Sequence, residues 1–106
     1  MVELLKRFFS DEEKNILDKH AKPGNCRQWS GTATKFLRRK NFNAEAREAQ
    51  IEPGLTHTFV EVKEEEDTYV MDGTGVGNHK KFFGKKEDAP DHLQKSKRDM
   101  LNNYLD

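Results

Sequence analysis

The amino-acid order predicts an α+β domain. Three observations carry that prediction. Apolar residues at helical spacing fill the first part of the chain, two runs rich in Val, Phe, Thr and Tyr lie between Thr56 and Asp72, and a helix-start signal returns at Pro90. Helices and strands are segregated along the chain rather than alternating, which separates α+β from a parallel α/β arrangement.

Leu4, Leu5, Phe8 and Phe9 have helical spacing. Ser10-Asp11-Glu12-Glu13 is a capping box that opens a second helical segment, continued by Ile16 and Leu17 toward His20 and broken at Lys22-Pro23-Gly24. Asn25, with Gln28 three residues on, reads as the N-cap of a helix running from Cys26 to about Lys40. Cys26, Trp29, Ala33, Phe36 and Leu37 share one face of it, and Lys35, Arg38 and Arg39 suit the negative end of its dipole. Phe42, Ala44, Ala46 and either Ala49 or Ile51 suggest a strand, although Ala-Glu-Ala-Arg-Glu-Ala also fits a helix. Pro53-Gly54 is a turn, Thr56 to Lys63 and Thr68 to Asp72 are strands, and Gly73 to Gly77 is loop. Phe82-Phe83 fits a short edge strand. A last helix is expected from about Pro90, using Leu93, Met100, Leu101 and Leu105. With no repeat and no linker, residues 1–106 are expected to form one domain.

Nineteen basic residues balance nineteen acidic ones, so no net field attracts nucleic acid or an anionic membrane. Charged residues make up 36% and hydrophobic ones 33%, which implies a thin core. No apolar run approaches the ~20 residues of a membrane span, and the first residues lack the apolar core of a signal peptide. The single cysteine excludes an internal disulfide and a Cys-rich zinc site and fits a reducing interior, although an excised domain of an exported protein would read the same way. No cofactor and no metal are expected.

Cys26 starts a helix, where unpaired N–H groups and about half a positive charge favour thiolate over thiol and face a developing oxyanion. His57 and Asp72 lie on consecutive strands. A hairpin centred between Glu64 and Glu65 opposes residues whose numbers sum to 129, pairing His57 with Asp72, Phe59 with Val70, Val60 with Tyr69 and Glu61 with Thr68. Opposed Cβ atoms lie ~4.5–5.5 Å apart, within reach of an imidazole–carboxylate hydrogen bond. If His57 and Cys26 meet on that sheet face, the Cys26 helix should cover Phe59 and Val70 as well. Cys26 as nucleophile, His57 as base and Asp72 as its orienting carboxylate then define a thiol enzyme that attacks an amide or ester carbonyl. Against this stand an ordinary buried cysteine, a structural histidine and an aspartate that merely begins a turn.

Pro-Gly-Asn-Cys-Arg-Gln-Trp (23–29), Thr-His-Thr-Phe-Val-Glu-Val (56–62) and Tyr-Val-Met-Asp-Gly-Thr-Gly (69–75) resemble the Cys, His and Asp blocks of the papain-like and transglutaminase-like superfamily, most closely the papain-fold toxin domains of bacterial polymorphic toxins. The resemblance spans about residues 23–77. It implies a papain/transglutaminase-like core and a cysteine peptidase, amidase or deamidase acting on protein, or a transglutaminase-like acyltransferase. It also implies a soluble domain delivered as part of a secreted toxin, acting in a cytoplasm and restrained by a cognate immunity protein. Arg27 stands where transglutaminases carry an aromatic residue, and no glutamine precedes Cys26 as an oxyanion donor; Asn25, Gln28 and Trp29 are the candidates for oxyanion or substrate contacts.

Other signals are weaker. Gly73-Thr-Gly75-Val-Gly77 has the wrong spacing for a dinucleotide fingerprint. His20, His79 and His92 match no metal-ligand spacing. The basic and aromatic stretch from His79 to Lys86 reads as a solvated edge strand more readily than as an RNA contact. A non-catalytic binding module with a vestigial triad is the alternative from another class.

Overall fold

A computed structural model describes residues 2–94. The order is α1 (Val2–Phe8), α2 (Asp11–Asp18), α3 (Cys26–Arg39), β1 (Asn43–Glu52), β2 (Leu55–Lys63), β3 (Thr68–Asp72) and β4 (Phe82–Lys85), then 3-10 turns at Lys86–Asp88 and Asp91–Leu93. The strands form one antiparallel sheet in the order β1-β2-β3-β4. The chain is therefore α+β.

Local chemistry sets the helix ends. Ser10 Oγ accepts from the Glu13 N–H at 3.1 Å while the Glu13 carboxylate accepts from the Ser10 N–H at 2.9 Å, a complete capping box. Asn25 occupies the N-cap position of α3, but its side chain makes no cap hydrogen bond, so the expected box with Gln28 is absent. Its φ of −103° and ψ of 23° depart from the extended backbone that usually aims a capping side chain at the first turn. At the other end Asn41 adopts φ 69°, and the N–H groups of Asn41 and Phe42 reach back to Arg38 and Leu37, each at 3.0 Å. That left-handed residue turns the chain from α3 into β1.

Alternation then sorts the sheet. Ala44, Val60, Val62 and Met71 point to one face and pack with Trp29, Ala33 and Leu37 of α3 and with Phe8, Phe9 and Leu17. Ala49, Phe59 and Val70 point to the other face and pack with Ala89 and Leu93 of the closing turns. Segment 43–52 is a strand, because its alanines serve both layers: Ala44 one and Ala49 the other. A helix there would leave the β2 edge unpaired.

The β2–β3 register and the seat of α3 also differ from expectation. The β2–β3 register pairs Val60 with Met71, Glu61 with Val70, Val62 with Tyr69 and Lys63 with Thr68, a sum of 131 rather than 129. The turn is Glu64 to Asp67, closed by the Glu64 N–H on the Asp67 carbonyl at 2.8 Å, one residue later than the centring at Glu64-Glu65 requires. A slip of two preserves side-chain parity, so His57 and Asp72 still share a face, as diagonal rather than directly opposed neighbours. Secondly, α3 lies over Val60, Val62 and Met71, not over Phe59 and Val70, which sit beneath the 3-10 turns.

Phe82 and Phe83 do form the edge strand. Pro90 precedes a 3-10 turn, Asp91–Leu93, instead of opening an α-helix there; Met100, Leu101 and Leu105, expected in a C-terminal helix, lie outside the described residues. Among the described residues no helix is long and apolar enough to cross a membrane.

Candidate active site

β2 and β3 separate at the end of the sheet where His57 lies. The ladder stops at Val60 and Met71. Continued by one more step of two, it would pair Thr58 with Gly73. The first turns of α3 take that place: the Thr58 carbonyl accepts from Ser30 Oγ at 3.2 Å, and the Thr58 N–H faces the Cys26 sulfur and lowers its pKa. In an antiparallel strand the N–H and C=O of one residue point the same way, so both groups left unpaired by β3 face α3. The ion pair of Arg27 with Glu48 of β1, at 3.5 Å, ties the helix start to the other side of β2.

This gap explains how Cys26 reaches His57 although α3 covers the opposite sheet face. β1 closes one edge of β2 at this level, pairing Ala49 with His57 and Glu48 with Thr58. The open edge at Thr58 lets the sulfur and imidazole approach each other around the strand, near enough for each to shift the other's titration.

His57 Nε2 lies 2.9 Å from Asp72 Oδ2, both side chains being fully buried. The N–H is not well aligned along that line, and neither atom has another hydrogen-bond partner, so each depends on the other in the interior. Nε2 being turned to Asp72, Nδ1 is the ring nitrogen left for Cys26. Asp72 Oδ1 is held separately, by the N–H of Thr74 at 3.1 Å and of Gly75 at 3.0 Å. The glycine loop thus forms a cradle for the carboxylate. Gly75 can make that turn because its φ is +74°.

Charges follow from the contacts. Burial alone pushes the His57 imidazole down, but the Asp72 carboxylate and then Cys26 overcome it and raise it from 6.5 to about 9. Burial pushes the Cys26 thiol up; His57 and the Thr58 N–H outweigh it and hold the thiol below its ordinary value. Asp72 is also held low, burial being overcome by His57 and by the Gly75 and Thr74 N–H groups. These directions favour a thiolate–imidazolium pair at neutral pH.

The same directions fix a stability profile. Asp72, depressed from 3.8, contributes stability present above 3.8 and lost as pH falls through its lowered value. His57, raised from 6.5, contributes stability that is full below 6.5 and lost as pH rises through about 9. Asp72→Asn should therefore lower the urea midpoint most between pH 3.8 and 6.5, with the gap to the parent narrowing as pH rises toward about 9. Urea titrations across that range check it; a gap independent of pH would place the cost in packing alone.

The candidates for oxyanion or substrate contacts separate. Asn25 is half-buried beside Cys26, Gln28 is exposed, and Trp29 is 3% exposed in the core, against Gly73. A Cβ on Gly73 would lie 1.9 Å from Trp29 Cε2. Gly73→Ala should thus destabilise by ~1–3 kcal/mol through overpacking, and denaturant unfolding should show it. The first-turn N–H groups of α3 are not engaged by the Asn25 side chain and can face an oxyanion.

One contributor escaped the sequence reading, and one was weighed there only as a metal ligand. Thr58 is recognisable only once the strand edge is known to be open. His92 lies close enough to feel the charges of Asp72 and His57, its ring 4.0 Å from that of His79, with a buried Nε2 that has no hydrogen-bond partner. Burial first, and the charge of His79 next, hold its pKa down. His20 is half-buried just after α2. Among the described residues no cluster of three or more His, Cys, Asp or Glu side chains could hold a metal ion.

Set against protein-family models, curated proteins and solved structures, the chain matches none.

Proposed function

We propose that the protein is a thiol enzyme of the papain-like or transglutaminase-like kind, with Cys26 as nucleophile, His57 as acid and base, and Asp72 as the residue that orients the imidazole. The observation that carries this reading is the continuous contact from Cys26 through His57 to Asp72, with the His57–Asp72 distance at 2.9 Å in a fully buried setting. An ordinary buried cysteine or a turn aspartate accounts for one of these residues but not for their convergence.

The Cys26 thiolate attacks a carbonyl carbon, forming a C–S bond while the carbonyl electrons move to oxygen. First-turn N–H groups of α3 stabilise that oxyanion. As the carbonyl reforms, the bond to the leaving amine breaks and the His57 imidazolium gives the amine its proton. The resulting thioester is attacked by water, whose proton passes to His57, releasing acid and thiolate. An amine in place of water makes the same site a transferase. We take hydrolysis of an amide in a protein substrate as the primary reading, by peptidase, amidase or deamidase action. A cytoplasmic site of action, delivery from a toxin and a cognate inhibitory protein enter with it on the resemblance of the three sequence blocks.

The test uses p-nitrophenyl acetate, a generic acyl donor. Intact-mass analysis after acid quench should find one acetyl group on the parent and none on Cys26→Ala. A labelled amine then reveals whether the thioester goes to water or to nitrogen. Acetylation that persists in Cys26→Ala, or an unmodified parent protein, would contradict the enzyme reading and favour a binding module.

A further inference from the structure

The segment that cradles Asp72 carries a histidine the proposed chemistry does not use. Residues 73–79 leave β3 and lend the Thr74 and Gly75 N–H groups to the carboxylate. They close on themselves through the Val76 N–H on the His79 carbonyl at 3.1 Å and the His79 N–H on the Val76 carbonyl at 2.8 Å. That closure sets His79 against His92 of the turn Asp91–Leu93, with ring centres 4.0 Å apart. Leu93, fully buried with Phe59 and Val70, anchors the turn to the sheet. The two imidazoles line a cleft of about 500 Å³ together with Gln50, Ile51, Pro90 and Asp91. We infer that His79 and His92 bind a divalent transition-metal ion, with two imidazole ligands from the protein and water in the remaining positions. This site stands independently of the reading of Cys26.

The ligand chemistry fits. Neutral imidazole is the commonest metal ligand among side chains, and His92 Nε2 is buried with no hydrogen-bond partner. A buried nitrogen left unpaired costs free energy, which a bound ion recovers. The spacing fits as well. Two imidazoles side by side on one ion, each at ~2.0–2.1 Å, have ring centres roughly 4.5–5 Å apart. The pair therefore needs to open by no more than about an ångström, and His79, which is exposed, supplies that by rotating its side chain. Charge favours a cation. Asp91 lines the same cleft, and its carboxylate acts on His92. It acts through its charge alone, since among the described residues no third His, Cys, Asp or Glu side chain completes a ligand set. In so open a site the ion decides the affinity: copper above zinc, with magnesium excluded by its preference for oxygen ligands. Neither histidine has a sequence neighbour at ligand spacing, because the two arrive on separate turns.

Isothermal titration calorimetry at neutral pH tests this on the full chain carrying Cys26→Ala, which removes the thiol from competition. One Cu²⁺ should bind per chain, more tightly than Zn²⁺, and Mg²⁺ should not bind. Adding the exposed substitution His79→Ala should weaken Cu²⁺ binding by at least the roughly 10–100-fold that losing a supporting partner costs a metal site. His20→Ala should leave it unchanged. Because His92 belongs to the closing turn, its share is read without mutation. Substoichiometric Cu²⁺ is paramagnetic and should broaden the ring-proton resonances of His79 and His92 more than those of His20 and His57. The absence of Cu²⁺ binding would overturn the site. So would binding that survives His79→Ala, or broadening strongest at His20 or His57, which would place the ion elsewhere.

Discussion

His57→Ala should slow alkylation of Cys26 by iodoacetamide at pH 6 roughly ten- to a hundredfold. An isolated thiol with pKa ~8.5 is less than about 1% thiolate at that pH. In the parent, the imidazolium of His57, charged up to about pH 9, and the Thr58 N–H hold the thiol below its ordinary value. The gain in thiolate is partly offset, because nucleophilicity falls with pKa at a Brønsted slope of about 0.4–0.5. The thiolate fraction still wins, since the offset is only about half the shift on a logarithmic scale. Rates followed by mass spectrometry in parent and variant decide the matter; equal rates would leave the helix terminus and the Thr58 N–H as the activating influences.

Asp72→Asn should leave the fold in place and reduce turnover by on the order of 10³–10⁴. The carboxylate accepts at Oδ1 from the Thr74 and Gly75 N–H groups and at Oδ2 faces His57 Nε2. An amide can keep the first contacts by presenting its oxygen to the loop, but its NH₂ then faces Nε2. That selects the tautomer protonated on Nδ1, the nitrogen that must accept from Cys26, and the imidazolium loses its counter-charge. The loss should fall on kcat, with circular dichroism unchanged. A variant that keeps most of its turnover would reduce Asp72 to a turn residue.

The sequence makes the parts of this arrangement visible but not their assembly. Ser10 and Glu13 announce the start of α2, because a capping box is a local hydrogen-bond pattern. Cys26 at the head of α3 is legible from the break at Lys22-Pro23-Gly24 and the apolar face that follows, although the capping box expected at Asn25 does not form. The β2–β3 register is not: Glu64, Glu65, Glu66 and Asp67 carry no Gly or Asn to mark the turn's centre, so centrings one residue apart look alike. His57 and Asp72 remain together because a slip of two conserves the sheet face. The seat of α3 misleads for a deeper reason. A shared site suggests a shared face, whereas Cys26 and His57 approach from opposite faces through the edge left open at Thr58. That opening depends on where β3 bends away, at Gly73 under Trp29, a tertiary event with no local signature. His92 joins the neighbourhood through the closing turns, far along the chain, and nothing near it in sequence points there.

The most direct test of the Cys26–His57 ion pair is the pH titration of the Cys26 thiolate by its ultraviolet absorbance, in the parent and in His57→Ala. With one cysteine in the chain, the thiolate signal has one source, and the tyrosine contribution is subtracted with Cys26→Ala. With the ion pair formed, thiolate is already present at neutral pH in the parent and disappears only on acidification, and removal of His57 returns the transition toward the ordinary thiol value of ~8.5. A single transition near the ordinary value of ~8.5 in both proteins would contradict the ion pair.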